Sequence, residues 1–318
     1  MKIDVIIPVY RPGRKFLELL RRLSAQTLAP EKIIVMNTEK EYWDRWLSDL
    51  AETDRQQIPD TVSVFHVSKE EFDHGGTRDA GIRKGNSGIF VCMTDDALPA
   101  DRKLLENLAG ALEGREDIAA AYARQLPAPD CRIIERYTRA FNYPEEGQIK
   151  TIKDLDRLGI KTYFCSNVCA AYRRDVYLET GGFIRKTIFN EDMIYAASVM
   201  KRGYAVCYAA DAEVIHSHNY SCMEQFHRNF DLAVSQADHP EVFSGVRSEG
   251  EGIRLVKQTA RYLAEHKKIR LIPYLIVNSG FRYLGYLAGK RYRILPRRLI
   301  LYCTMNKNYW KGYKGTNV

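Results

Sequence analysis

The chain has no run of about 18 uncharged apolar residues, which excludes an evident membrane-spanning helix. Its first residues enter a strand pattern directly, so no signal peptide is expected. Seven cysteines (Cys92, Cys131, Cys165, Cys169, Cys207, Cys222 and Cys303) include no CxxC pair. An odd, scattered set argues against a disulfide framework or structural zinc and fits reduced thiols in a cytosolic protein. Neither GxGxxG nor a Walker sequence occurs, so neither a dinucleotide fingerprint nor a P-loop is indicated. Acidic residues nearly vanish at the end: 251–318 holds 15 Lys and Arg but only Glu251 and Glu265, against 33 basic and 38 acidic residues elsewhere. The length of 318 residues allows two domains and a sizeable core.

What is present is an alternation of strand and helix patterns. Residues 3–9 are apolar on both faces and stop at Tyr10 and the turn Pro12-Gly13. Phe16, Leu19, Leu20 and Leu23 then recur at helical spacing over 14–26. Strands follow over 32–36 and 62–67, with a helix over 41–50 between them, and this order predicts right-handed crossovers and a parallel sheet. A fourth strand, 89–93, is an apolar run bounded by Gly88 and leads into Asp95 and Asp96 before Pro99. Ligands in open α/β sheets collect beyond the carboxyl ends of strands. Two adjacent carboxylates there read either as a helix cap or as a cation site.

Other segments carry candidate chemistry. Gly75-Gly76 predicts a tight turn with a helix from Thr77, which puts Arg78 in a first turn, where a cation opposes the helix dipole. Arg78 therefore needs an anionic partner: a phosphate, Asp73, or the Asp95-Asp96 pair. Residues 101–113 form an amphipathic helix and 118–126 an Ala-rich strand, whereas 127–162 reads as a long irregular segment that could cover a cleft. Asn167, among apolar residues, reads as a buried amide that needs hydrogen-bond partners. Glu191 and Asp192 begin a helix that Asn190 can cap, a placement that dipole energetics alone would favour and a general base would also use. His216-Ser217-His218 ends an extended segment with metal-ligand spacing or a polar surface.

Six pieces taken together, IIPVY, HGGTRDAG, MTDDALP, SNVCAAYRRDVYLETGGF, NEDM and VIHSHNYS, resemble the inverting family 2 glycosyltransferases of the GT-A fold, in their rhamnosyltransferase-like branch. The resemblance spans about residues 1–235 and implies an α/β, Rossmann-like, mostly parallel sheet that binds a nucleotide-sugar. It implies Mg²⁺ or Mn²⁺ held by Asp96 and His216, with His218 as the alternative histidine and Asp95 beside the ribose or the metal. It makes Asp192 the catalytic base, with Glu191, Asn167 and Gly182 toward the acceptor. Pro8, Tyr10, Asn37 and Arg78 fall to the donor, Asn37 standing where many members have a base-reading aspartate. The expected reaction moves a sugar, rhamnose from dTDP-rhamnose, onto a cell-surface or lipid-linked glycan. Donors such as UDP-galactofuranose and UDP-hexoses are the alternative, as are a non-catalytic nucleotide-binding scaffold and a nucleotidyltransferase.

The remainder, 236–318, is expected to form a basic, Tyr-rich helical extension. Lys and Arg interleaved with Tyr274, Tyr283, Tyr286, Tyr292, Tyr302 and Tyr309 suit an anionic membrane surface or a homo-oligomer contact. The location expected is cytoplasmic, on the inner face of the membrane. No nucleic-acid motif accompanies the charge.

Overall fold

β1 (Ile3–Tyr10) is buried over most of its length, and its apolar run is the axis of the sheet. The computed structural model describes residues 2–246 and 249–311; residues 247–248 and 312–318 of the expected basic extension lie outside the described residues. The other strands are β2 (Lys32–Thr38), β3 (Val62–Val67), β4 (Ile89–Met93), β5 (Leu98–Pro99), β6 (Ile118–Leu126), β7 (Gln148–Lys150), β8 (Cys169–Arg173) and β9 (Ala205–Ile215). They form one mixed sheet in the order β3-β2-β1-β4-β8-β6-β9-β5, with β7 on β9.

The β-α-β-α-β expectation holds for β3-β2-β1-β4, which pair in parallel. Past β4 the sheet changes sense: β8 is antiparallel to β4 and β6, while β6 and β9 run parallel. β4 is buried at all five positions, as a strand covered on both faces must be. β4 pairs only with Ile3–Ile6 of β1, so Pro8 stands past that ladder, where a missing N–H interrupts no pairing with β4. The helix Arg14–Ser24 buries Phe16, Leu17, Leu19, Leu20 and Leu23 on the sheet, the stripe its spacing predicts.

The chain divides into two compact units. The first comprises 1–128, 143–185 and 191–217 and contains every described strand; the second comprises 129–142, 186–190 and 218–318. The boundary expected at 235 falls inside the helix Cys222–Asp238, and the second unit draws two short segments from earlier in the chain.

Two local expectations need correction. Gly75-Gly76 is not a turn before a helix: the helix is His74–Ile82, capped by the Asp73 side chain, which accepts from the Gly76 N–H. Arg78 thus stands beyond the first turn, and the dipole argument for its partner loses force. Residues 127–162 are not irregular; they contain the helix Ile133–Asn142, β7 and a series of short helical turns. Asn190, which precedes the helix Glu191–Lys201, lies at φ 64°, and its amide N–H₂ donates to the Leu232 carbonyl.

The second unit is helical. Its principal contact joins the helices Cys222–Asp238 and Ile272–Lys290, which approach closely because Gly285 and Gly289 have no side chains. A Cβ on either would fall 2.2 or 2.3 Å from the Phe226 or Phe230 carbonyl oxygen. Phe230, Val234, Tyr292, Cys303 and Trp310 fill the core beside this contact.

Candidate active site

The site in the first unit grows from the carboxyl ends of β1, β2 and β4. Register places Tyr10 beside Thr38 and Val9 beside Asn37, and Asn37 beside His66 of β3. Asn37 is fully buried; its amide N–H₂ donates to the Glu39 carbonyl and meets His66 Nδ1 at 3.0 Å. Its Oδ1 is buried with no partner among the described residues. A buried acceptor without a donor costs about 1–3 kcal/mol, so this oxygen favours a ligand that brings an N–H. Tyr10 is 40% exposed, edge-on to Tyr42, with the Arg11 guanidinium and Lys69 ammonium over its ring.

Asp95 and Asp96 follow β4 directly. Desolvation, then the charge of Asp96, push Asp95 up to about 6, against hydrogen bonds from the Tyr10 and Asp95 backbone N–H groups. Asp96 is partly exposed and faces His216: Nε2 lies 3.5 Å from Asp96 Oδ1. Nδ1 of His216 is 3.0 Å from Gln125 Oε1, and Gln125 in turn donates to the Ser166 hydroxyl. An amide oxygen can only accept, so Nδ1 donates to Gln125, and Nε2 is the ring nitrogen that faces Asp96. Two donor atoms aimed at each other, with the ring held from behind, make a set that a divalent cation fits. His218 follows two residues later and opens the second unit, its ring stacked on Tyr220.

The helix Glu191–Lys201 supplies the other acids. Glu191 is buried and forms an ion pair with Arg78, Oε1 to Nη1 3.1 Å, and accepts from Asn167 Nδ2 at the same distance. Desolvation works to raise the pKa of Glu191, but Arg78, His74 and Asn167 outweigh it and the pKa is lowered. Arg78 is thus ion-paired with Glu191, a partner not among those expected, and its charge also acts on Asp95; its Nη1 donates to the His74 carbonyl as well. Its Nε is buried with no partner among the described residues.

Asp192 is half-buried. Its Oδ2 accepts from the Asn167 N–H at 2.9 Å and its Oδ1 from the Met193 N–H at 2.8 Å. Desolvation, then the charge of Glu191, raise it to about 7, against those N–H groups and Arg78. Cys92, Cys165 and Tyr172 lie near it but stay neutral, because burial pushes both thiols up to about 12 and the phenol well above its ordinary range. The two carboxyls are thus driven apart, Glu191 fixed as an anion and Asp192 poised near neutrality, a pattern that separates structural from proton-transferring roles. Asn167 touches both and receives the Tyr172 hydroxyl on Oδ1 at 2.7 Å. Gly182 sits at φ 71°, and a Cβ there would fall 2.7 Å from the Tyr177 ring.

Gln125, Tyr172, His66 and His74 were not singled out from the sequence. Only Gln125, beside Arg124 near the end of an Ala-rich strand, gave a readable signal.

Comparison with known proteins places this geometry. The family model for "Glycosyl transferase family 2" matches residues 4–181, and the chain belongs to that family. It is an inverting glycosyltransferase of GT-A fold. The chain is 37% identical to the O-antigen chain rhamnosyltransferase RfbN of Salmonella typhimurium over 98% of this chain and 97% of that protein. It is 35% identical to the O-antigen chain rhamnosyltransferase WbaN of Salmonella anatum, over 97% and 95%. The mannosyltransferase PcManGT of Pyrobaculum calidifontis, solved with GDP-Man and Mn²⁺, shares the fold at a TM-score of 0.55 and 15% identity, over 97% of this chain and 85% of that one.

Proposed function

We propose that the chain transfers L-rhamnose from dTDP-rhamnose to a hydroxyl of a growing O-antigen-type glycan, with Asp192 as the base. The observation that carries this reading is the division of labour between Glu191 and Asp192. Only Asp192 is both basic enough near neutral pH and held by two backbone N–H groups in one orientation. Its carboxylate takes the proton of the acceptor hydroxyl as that oxygen bonds to the anomeric carbon. The bond from that carbon to the diphosphate oxygen breaks, and the nucleoside diphosphate leaves from the opposite face. One displacement inverts the configuration and needs no second carboxylate as nucleophile.

Asn37 Oδ1 is the acceptor for the N3–H of thymine or uracil, with Tyr10 and Pro8 as walls of the base pocket. Arg78, although paired with Glu191, retains a buried Nε and sits close enough to lower the pKa of Asp95, so it serves the donor side as a positive field. Asp96 and His216, with His218 as the alternative histidine, would hold Mg²⁺ or Mn²⁺. Such an ion supplies positive charge to the departing diphosphate. Glu191, Asn167 and Gly182 shape the acceptor side.

Among the described residues no helix is long and apolar enough to cross a membrane. The second unit instead exposes Ile269, Ile276, Val277, Tyr283, Leu284, Ile294, Leu299 and Tyr302 in a part of the chain rich in Lys and Arg. This composition suits peripheral contact with an anionic lipid surface.

The test is a donor screen by nucleotide release and product mass, with dTDP-rhamnose, UDP-galactofuranose and UDP-hexoses. Turnover confined to dTDP-rhamnose supports the reading. Turnover with a UDP-sugar alone overturns the donor, and a flat response to all donors overturns the activity.

A further inference from the structure

The second unit contains a cavity of about 270 Å³, near the lower end of the ~300–1,000 Å³ usual for small-ligand sites. Of its lining residues only His218 enters the transfer chemistry above, as the alternative histidine of the metal set. Its walls combine two kinds of surface. Ile133, Leu271 and Tyr274 form the apolar part. The polar part includes Arg282 and Arg132, with the amides of Asn278 and Gln225, both buried residues.

Arg282 is the telling residue. It lies on the helix Ile272–Lys290, and its Nε is buried with no hydrogen-bond partner among the described residues. Desolvation is the largest influence on the guanidinium and lowers its pKa; Glu135 acts the other way, while Arg228 and Arg139 add to the lowering. Glu135 also lines the cavity, but its Oε1 is engaged by Arg139 Nε at 2.8 Å. Positive charge is therefore in surplus around the cavity, and a buried guanidinium with an unused donor is costly unless an anion meets it. Two guanidinium groups and two amides offer more donors than the two oxygens of a carboxylate can accept, which favours a phosphate group.

We propose that this cavity binds an amphiphilic anion, a phosphate or diphosphate ester of an aliphatic alcohol. The phosphate oxygens meet Arg282 and Arg132, and the first carbons of the chain lie on Ile133, Leu271 and Tyr274. As a statement about where an acceptor's carrier end docks, the inference rests on the transferase reading above; as a binding site it stands alone.

Titration calorimetry on the full chain tests it, in metal-free buffer with saturating dTDP to occupy the donor site. The probes are geranyl diphosphate, inorganic diphosphate and geraniol. Geranyl diphosphate should bind at least about tenfold more tightly than either of the others, because each contributes only one half of the recognition. Arg282→Gln should weaken geranyl diphosphate about tenfold or more, with Arg282→Lys recovering part of the loss, and dTDP affinity unchanged. Arg132→Gln, on the exposed rim, should weaken it by a smaller factor without a change in thermal stability. Unchanged affinity in Arg282→Gln and Arg132→Gln overturns the site. Equal binding of inorganic diphosphate or of geraniol overturns the amphiphilic assignment. Displacement of geranyl diphosphate by phosphatidylglycerol vesicles, but not by phosphatidylcholine vesicles, overturns the single-chain ester in favour of a membrane headgroup. Transfer from dTDP-rhamnose is followed in parallel: transfer without geranyl diphosphate binding removes only the cavity assignment, and binding without transfer removes only the donor reading.

Discussion

Replacing Glu191 by Gln isolates the electrostatics that make Asp192 a base. In the wild-type protein Asp192 is raised to about 7. A base that must be ionised is then roughly 9% active at pH 6 and roughly 91% at pH 8, so kcat/KM should rise about tenfold across that interval. Glu191 is the charge that raises Asp192, and Arg78 opposes it. Glu191→Gln removes the first and leaves the second without its partner, and both changes favour the carboxylate. The acid limb should therefore move to lower pH, and the rate at pH 6 should approach that at pH 8. The same substitution leaves the Arg78 guanidinium buried and unpaired, at a cost of about 3–5 kcal/mol of stability. The assay is kcat/KM for dTDP-rhamnose at saturating acceptor and constant ionic strength from pH 5.5 to 8.5, with the melting temperature measured at each pH. A flat wild-type profile between pH 6 and 8, or an acid limb in Glu191→Gln that stays in place or moves upward, refutes the reasoning.

Arg78→Gln has the opposite sign: it removes a charge that lowers Asp192, so the acid limb should move to higher pH, with a similar stability loss in thermal melts because Glu191 is left unpaired. Asn37→Leu removes the buried acceptor proposed for the pyrimidine, and dTDP binding by calorimetry should weaken about tenfold. Asp96→Ala should weaken Mn²⁺ binding, read by electron paramagnetic resonance, by about 10–100-fold, and Gln125→Leu, which frees the His216 ring, should weaken it by a smaller factor.

The strands, the helix faces and the order of the acidic motifs were readable because they depend on local spacing. The run from Ile89 to Met93 has one sensible fate, a buried strand, and Asp95 and Asp96 must then stand at its end. The antiparallel insertion of β8 was not readable, since strand sense depends on which distant edge a segment meets. The same holds for the partners of Arg78 and Asn167. Glu191 is 113 positions from Arg78, and nothing in the spacing of either favours it over Asp73. The helix Ile133–Asn142 was missed because the Pro residues around it, Pro127, Pro129 and Pro144, flank the helix without entering it. The role of Gly285 and Gly289 was not readable either, since it depends on the neighbouring helix whose Phe226 and Phe230 carbonyls lie against them.

The central claim is that Asp192 takes the acceptor's proton and does not hold the donor. Its direct measurement is Asp192→Asn in the full chain, with transfer from dTDP-rhamnose and donor affinity determined on the same preparation. The account predicts a loss of transfer by roughly 10²–10⁴-fold with donor affinity within a few-fold of wild type. Transfer at near wild-type rate, or a loss of donor affinity that accounts for the whole effect, would contradict it.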